Sequence, residues 1–145
     1  MKSLRLPATL ENIAKVRTFV LDEAATLGFT REMLFRIDLV VEELAANVVL
    51  YAYPDKHGDM EIRCDVVDGS TLCVELRDDG VAFDPLSRRG PDTRQGCTER
   101  EIGGLGIYLA RRMVDGIDYR RENHTNILTV RFKLGQSSAC ALPGQ

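Results

Sequence analysis

The sequence predicts an α/β (α+β) protein, a two-layer sandwich in which helices cover one face of a mixed, mainly antiparallel sheet. Two apolar patterns with helical spacing lie in the first third of the chain, and most of the strand patterns that follow are joined by short links. With 145 residues, 44% of them hydrophobic, the chain is long enough for one sizeable core. We therefore expect a single domain over residues 1–135 and a flexible tail over residues 136–145.

Capping residues, glycines and prolines mark most of the boundaries of the predicted elements. The elements are a strand over 3–6, a helix from the Thr9 cap to Leu27, a helix from the Thr30 cap that ends before Pro54, strands over 60–67 and 71–77, a helix over 106–114, and strands over 117–121 and 127–134. Between residues 78 and 106 no sustained apolar period is present, and six glycines and two prolines interrupt the chain. A stretch of this kind inside a compact domain is typical of an active-site lid.

Composition excludes several classes of protein. The chain has 19 Lys and Arg against 22 Asp and Glu, a formal net charge of −3, so it lacks the basic excess of a nucleic-acid-binding protein. No apolar run approaches the ~20 residues of a membrane span, and the first ten residues lack the apolar core of a signal peptide. We expect a soluble, cytoplasmic protein that binds neither nucleic acid nor membrane.

The hairpin formed by the strands over 60–67 and 71–77 has a register set by its apolar residues. A three-residue loop over 68–70 lets those residues face one another. The expected pairs are Ile62 with Leu76, Cys64 with Val74, and Val66 with Leu72. This register places Cys64 and Cys73 on opposite faces of the sheet, and no two of the four cysteines have C-x-x-C spacing. We therefore expect reduced thiols.

Glu43 and Asn47 form the first segment with chemical potential. They lie four residues apart on the second predicted helix, so they share one face, one turn apart. A carboxylate and a carboxamide in this arrangement can position a base and bind a hard cation such as Mg²⁺ through oxygen. The alternative is that both side chains are simply solvated.

Two further segments carry an aspartate and glycines. Asp78 ends a predicted strand and Gly80 follows, so the carboxylate can accept a hydrogen bond from an exocyclic amine such as that of adenine. Gly103, Gly104 and Gly106 lead into a predicted helix, where free amides favour an anion such as phosphate. Neither the P-loop pattern nor the dinucleotide G-x-G-x-x-G pattern is present. The alternatives are an ordinary Asp-Gly turn and a flexible connector.

Taken together, the order and spacing of the three segments resemble those of the GHKL (Bergerat-fold) ATPases, over about residues 4–134. The segment 43–47 resembles the family's helix motif, 78–82 its adenine-binding motif, and 103–107 its phosphate loop. Within this superfamily, the chain resembles the bacterial anti-sigma factor serine kinases in its length and in the local sequence around these motifs. Two residues depart from the pattern: Ala82 stands where the adenine motif has its second glycine, and Tyr51 stands where many members have His.

The resemblance implies an ATP- and Mg²⁺-dependent kinase with Glu43 as its catalytic residue and Asn47 as its metal ligand. The residues that it implies for nucleotide binding are Asn47, Asp78, Gly80, Ala82, Gly103, Gly104, Leu105 and Gly106, with Thr129 supporting adenine recognition. Four arginines of the predicted lid are candidates to contact the phosphates: Arg88, Arg89, Arg94 and Arg100.

The resemblance also implies partners. The expected substrate is an anti-anti-sigma (STAS-domain) protein phosphorylated on Ser or Thr, and the expected second partner is a sigma factor that the kinase sequesters; a homodimer is usual in the subfamily. The main alternative is an ATP-dependent protein-binding switch of the same fold that transfers no phosphate. The catalytic domain of a histidine kinase is a weaker alternative, since neither His57 nor His124 lies in a predicted helix. A nucleotide-free protein of this fold is another weak alternative, since three motifs match those of the family.

Overall fold

Two helices lie against one face of a five-stranded sheet in the structure, a computed structural model that describes residues 1–54, 56–84, 86 and 110–135. The elements are β1 (Lys2–Pro7), α1 (Leu10–Thr26), α2 (Arg31–Asn47), a π-helical turn (Val48–Ala52), β2 (Asp59–Val67), β3 (Thr71–Asp78), β4 (Gly116–Glu122) and β5 (Thr125–Lys133). Residues 110–113 are also helical and belong to the helix predicted over 106–114, whose first residues lie outside the described ranges.

The two long helices begin and end near the predicted residues. Thr30 caps α2 with its side chain, which accepts a hydrogen bond from the Met33 amide at 3.2 Å. Thr9 is the N-cap residue of α1, but its hydroxyl makes no capping hydrogen bond. Gly28 follows α1 with φ +88°, a conformation that glycine adopts without strain. Among the described residues, no helix is long and apolar enough to cross a membrane.

The sheet has the strand order β1-β2-β3-β5-β4, and all four of its strand pairs are antiparallel, so the predicted mainly antiparallel sheet contains no parallel pair among the described strands. The hairpin β2–β3 has the predicted register. The pairs are Ile62 with Leu76, Cys64 with Val74, and Val66 with Leu72. Cys64 and Cys73 are free thiols, as expected.

Side-chain alternation divides the sheet into an apolar face and a polar face. On β3 the buried row is Leu72, Val74, Leu76 and then Asp78, while the residues between them are partly exposed. The apolar members of this row pack in the core with the buried residues of α1 and α2. Asp78 is thus the last residue of a core-facing row, and period-two geometry turns its carboxylate towards the helices.

The chemistry of Cys64 offers a first test of the fold. Its side chain is 1% exposed, and burial raises the pKa of its thiol to about 12. Because the thiolate is the reactive form, we expect iodoacetamide at about pH 8 to leave Cys64 unlabelled in the native protein and to label it after denaturation. Peptide mass spectrometry measures both states, with the partly exposed Cys73 as the internal comparison. Labelling of Cys64 in the native protein as fast as in the denatured protein would contradict its burial and hence the register.

Candidate functional site

A cleft lies between the end of α2, the π-helical turn and the adjoining ends of β3, β4 and β5. It holds about 410 Å³ of space, part of it open solvent. Its lining is mainly apolar: Leu44, Asn47, Val48, Ala52, Leu76, Asp78, Val81, Phe83, Tyr119, Asn126 and Leu128. The buried polar residues in the described part of the chain are Asn12, Asn47, Asp78 and Asn126, and all but Asn12 line this cleft. An apolar cavity with a few convergent polar groups is typical of a small-molecule site.

Among the described residues that line the cleft, Asp78 is the charged one. Its Oδ1 atom accepts hydrogen bonds from the Gly80 amide and from Asn126 Nδ2, both at 2.9 Å. Burial raises the pKa of Asp78, while those two hydrogen bonds and the nearby Arg121 oppose the shift. Both bonds that described residues donate to Asp78 use Oδ1, so Oδ2 is the oxygen left to receive a donor from a ligand.

Gly80 is required by a close approach of two backbone segments. A Cβ atom at this position would lie 2.2 Å from the carbonyl oxygen of Ala52, which ends the π-helical turn. The same carbonyl accepts a hydrogen bond from the Val81 amide at 2.9 Å. The absent side chain therefore makes room for the protein's own backbone, and it fastens the loop after Asp78 to the helix that carries Asn47. Ala82, two residues further on, is exposed.

Gly80→Ala is expected to lower the free energy of unfolding by about 1–3 kcal/mol, the usual range for overpacking against atoms that cannot easily move. Urea denaturation followed by circular dichroism measures the change. Ala82→Gly is the matched control in the same loop, and its exposure predicts a change within about 0.5 kcal/mol. A Gly80→Ala variant as stable as the control would show that the two segments are not held together here.

Asn126 takes the place that sequence reasoning gave to Thr129. Leu128 and Val130 are buried in the core, so Thr129 between them faces the polar side of the sheet, away from the cleft. The structure therefore does not bring Thr129 to the cleft, because this residue lies on the opposite face of β5 from Leu128 and Val130. Asn126 has the correct parity and lies opposite Asp78 in the β3–β5 register. A polar residue in an otherwise apolar row was the signal in the sequence.

Glu43 and Asn47 meet on the last turn of α2, as their spacing predicts. Asn47 Nδ2 donates to the Glu43 backbone carbonyl at 2.8 Å and lies 3.4 Å from Glu43 Oε2. Glu43 is half-buried; burial, with a smaller contribution from Glu42, raises the pKa of its carboxyl, and the Asn47 contact opposes this. Because the amide nitrogen of Asn47 is engaged, its oxygen is the atom available to a cation beside the cleft.

Two tyrosines follow Asn47. Tyr53 donates its hydroxyl proton to the Asp59 carbonyl at 2.7 Å and accepts a hydrogen bond from the Asp79 amide at 2.9 Å. Burial raises the pKa of Tyr53, which keeps this hydroxyl protonated as a bridge between the start of β2 and the end of β3. Tyr51 lies beside Phe83 of the cleft lining, with ring centroids 6.0 Å apart.

The predicted phosphate loop lies outside the described residues. It comprises Gly103, Gly104, Leu105 and Gly106, and the predicted lid arginines lie outside them as well. The described site is therefore the end that would hold a base and a metal: Asp78 with Asn126 on the sheet, and Asn47 with Glu43 on α2.

This fold, with an aspartate on the sheet and a Glu and an Asn on the neighbouring helix, is typical of one class of protein. The chain belongs to the histidine kinase-like ATPase domain family, whose profile matches residues 6–132. ATP is the nucleotide that membership of this family implies.

Among the curated relatives are serine-protein kinases. The chain is 29% identical over 135 residues to the serine-protein kinase RsbW of Bacillus subtilis (strain 168), an alignment that covers 90% of this chain and 82% of that protein. It is 26% identical over 133 residues to the RsbW of Bacillus thuringiensis (strain Al Hakam), with 89% and 82% covered. The predicted resemblance to the serine kinases of this superfamily is confirmed by these relatives.

Solved structures share the fold. The crystal structure of the RsbU and RsbW domains of a Mycobacterium tuberculosis protein matches with a TM-score of 0.59 at 16% identity, over 92% of this chain and 33% of that chain. The blue-light activated histidine kinase of Erythrobacter litoralis EL346 matches with a TM-score of 0.57 at 21% identity, over 89% of this chain and 42% of that chain. The predicted two-layer fold with a mainly antiparallel sheet is confirmed.

Proposed function

We propose that this chain is an ATP- and Mg²⁺-dependent protein serine/threonine kinase of the anti-sigma type. The observation that carries the proposal is the contact between Glu43 and Asn47 beside a cleft whose buried carboxylate is Asp78. A nucleotide site without a base would serve a binding switch, whereas a half-buried carboxylate next to the candidate metal ligand is what phosphoryl transfer to a hydroxyl needs.

The cleft fits an adenine base. Its apolar lining suits a flat aromatic ring, and Asp78 Oδ2 is an acceptor for the exocyclic amine. The oxygen of Asn47 fits Mg²⁺, which binds few protein oxygens and takes its other ligands from water and phosphate. When bound, the metal would neutralise charge on the phosphates. The glycines at 103, 104 and 106 are proposed as the phosphate loop on the strength of the sequence resemblance.

Glu43 is proposed as the general base or orienting group for the serine hydroxyl of the substrate. Burial raises the pKa of its carboxyl, which makes the carboxylate a stronger base. The Glu43 carboxylate contacts the side chain of Asn47, which lines the cleft. A carboxylate at this position favours the kinase over the ATP-dependent switch.

The proposed protein substrate is an anti-anti-sigma STAS-domain protein, and the proposed second partner is a sigma factor sequestered once that antagonist is phosphorylated. Support comes from the resemblance of the sequence to the anti-sigma factor kinases and from the RsbW relatives. A homodimer is proposed on the same resemblance. Incubation with labelled ATP and a purified STAS-domain protein tests the substrate, and label on a serine or threonine of that protein is the expected result.

Mg-ATP at 100 times its dissociation constant is expected to raise the melting temperature by roughly 5–10 °C, since such binding adds about 2.7 kcal/mol to the stability. The rise is expected to need Mg²⁺ and to shrink in Asn47→Ala, which removes the proposed metal ligand. Differential scanning fluorimetry measures both.

Asn12→Ala is the matched control for that experiment. Asn12 is another buried asparagine, but its amide donates to the Pro7 carbonyl at the start of α1, and it does not line the cleft. We expect this variant to melt at a lower temperature while keeping the full ATP-dependent rise. No rise in the wild type at millimolar Mg-ATP would contradict the proposed function.

A further inference from the structure

Asn126 is held by four hydrogen bonds in the cleft wall. Its Nδ2 donates to Asp78 Oδ1 and to the Val81 carbonyl, both at 2.9 Å. Its Oδ1 accepts from the Tyr119 hydroxyl at 2.5 Å and from Arg121 Nη1 at 2.9 Å. Both polar atoms of the carboxamide are therefore fully used, and this residue anchors Asp78.

The orientation of that carboxamide is fixed by two partners, one of which can only donate a hydrogen bond and the other only accept one. Arginine has donors only, so the atom facing Arg121 must be the oxygen; a backbone carbonyl has no donor, so the atom facing Val81 must be the nitrogen. Without Arg121, Asn126 Oδ1 would keep only the Tyr119 donor, and the Gly80 carbonyl would lose its contact with the guanidinium. The carboxamide would then be held less firmly against Asp78 Oδ1, and the carboxylate itself would be less firmly oriented.

Arg121 is placed for this role by the β4–β5 hairpin. It is partly buried on the cleft side of β4, and the same Nη1 atom reaches the Gly80 carbonyl at 3.1 Å. Arg120, its neighbour, is exposed and pairs with Glu122 at 2.9 Å. Arg121 therefore contacts the cleft wall, whereas Arg120 does not and serves as the comparison.

We propose that Arg121, assisted by Tyr119, is a positioning residue: it holds Asn126 as a donor to Asp78 Oδ1 and thereby orients the Asp78 carboxylate, which selects 6-amino over 6-oxo purine nucleotides. This inference rests on the proposed nucleotide-binding function of the cleft. A 6-amino purine donates to the free oxygen of Asp78, whereas a 6-oxo purine presents a second acceptor to it. Arg121 acts through Asn126, and its own contacts are to protein oxygens.

The test compares the affinities of ATP and inosine triphosphate, which differ at this purine position, by isothermal titration calorimetry. In the wild type, ATP is expected to bind about 10- to 150-fold more tightly, the range for a hydrogen bond to a charged group. Arg121→Met keeps the aliphatic stem and removes the donor; it is expected to bring the ratio of the two affinities to within about threefold. Arg121→Lys is expected to restore part of the ratio.

Arg120→Met is the control and is expected to keep the wild-type ratio. Tyr119→Phe removes one donor while leaving the ring in place; it is expected to lower the ratio in the same direction and is the test variant if Arg121→Met does not fold. A wild-type ratio in a folded Arg121→Met or Tyr119→Phe protein, or an equal loss of both nucleotides, would overturn the proposal. If the wild type binds neither nucleotide, the proposed function itself fails, and this inference fails with it.

Discussion

Asp78→Asn is expected to weaken ATP binding by at least about tenfold and by up to about 150-fold, because the ligand loses a hydrogen bond to a charged acceptor. The asparagine oxygen can take over the bonds from the Gly80 amide and Asn126, which both reach Oδ1. Its NH₂ group then occupies the position of Oδ2, where a donor faces the donor amine of adenine. The fold is thus preserved while recognition is lost.

Isothermal titration calorimetry with a non-hydrolysable ATP analogue measures this loss. Asp79→Asn is the matched control: Asp79 is the next residue and also a carboxylate, but it is exposed and accepts a hydrogen bond from Thr125 at 2.7 Å. We expect it to bind the analogue within about twofold of the wild type. Wild-type affinity in Asp78→Asn would contradict the assignment of the cleft to adenine.

Glu43→Gln is expected to slow phosphoryl transfer to a STAS-domain substrate by about 10²- to 10⁴-fold, the usual contribution of a positioned general base. Glutamine is close to glutamate in size and keeps an acceptor for the Asn47 amide, so ATP affinity is expected to change little. Single-turnover transfer from labelled ATP measures the chemical step, and calorimetry measures binding separately.

The pH dependence of the same assay has a defined sign. Burial raises the pKa of the Glu43 carboxyl above its ordinary value, and the group acts as a base only when deprotonated, so the wild-type rate should rise with pH through that pKa. Glu43→Gln should lose this limb of the profile. Glu42→Gln, a change at the adjacent exposed residue, should keep the rate and keep the limb, which should move to slightly lower pH because the Glu42 charge contributes to the raised pKa of Glu43. Equal rates in the Glu43 and Glu42 variants would contradict the role of Glu43 as the general base.

Local periodicity predicted most of the fold. The β2–β3 register followed from matching Ile62 with Leu76 and Cys64 with Val74, because a slip of one residue would turn every apolar side chain to the wrong face. The same alternation carries Asp78 into the core-facing row, and helical spacing brings Glu43 to Asn47.

The features that the sequence did not reveal depend on contacts between distant segments. The need for glycine at position 80 comes from the carbonyl of Ala52, which the π-helical turn places against it. The choice between Asn126 and Thr129 depends on which face of the sheet each residue of β5 occupies. Resemblance to a family motif does not determine that face. The hydrogen bond from Arg121 to Asn126 forms only when β4 pairs with β5.

The central claim is that the cleft between α2 and the β3–β5 edge binds ATP through Asp78 and Mg²⁺ through Asn47. A crystal structure with Mg²⁺ and a non-hydrolysable ATP analogue tests it most directly. We predict the adenine amine within hydrogen-bonding distance of Asp78 Oδ2, and the Asn47 oxygen on the metal with Glu43 beside it. A nucleotide bound away from this cleft, or an adenine that makes no contact with Asp78, would contradict the account.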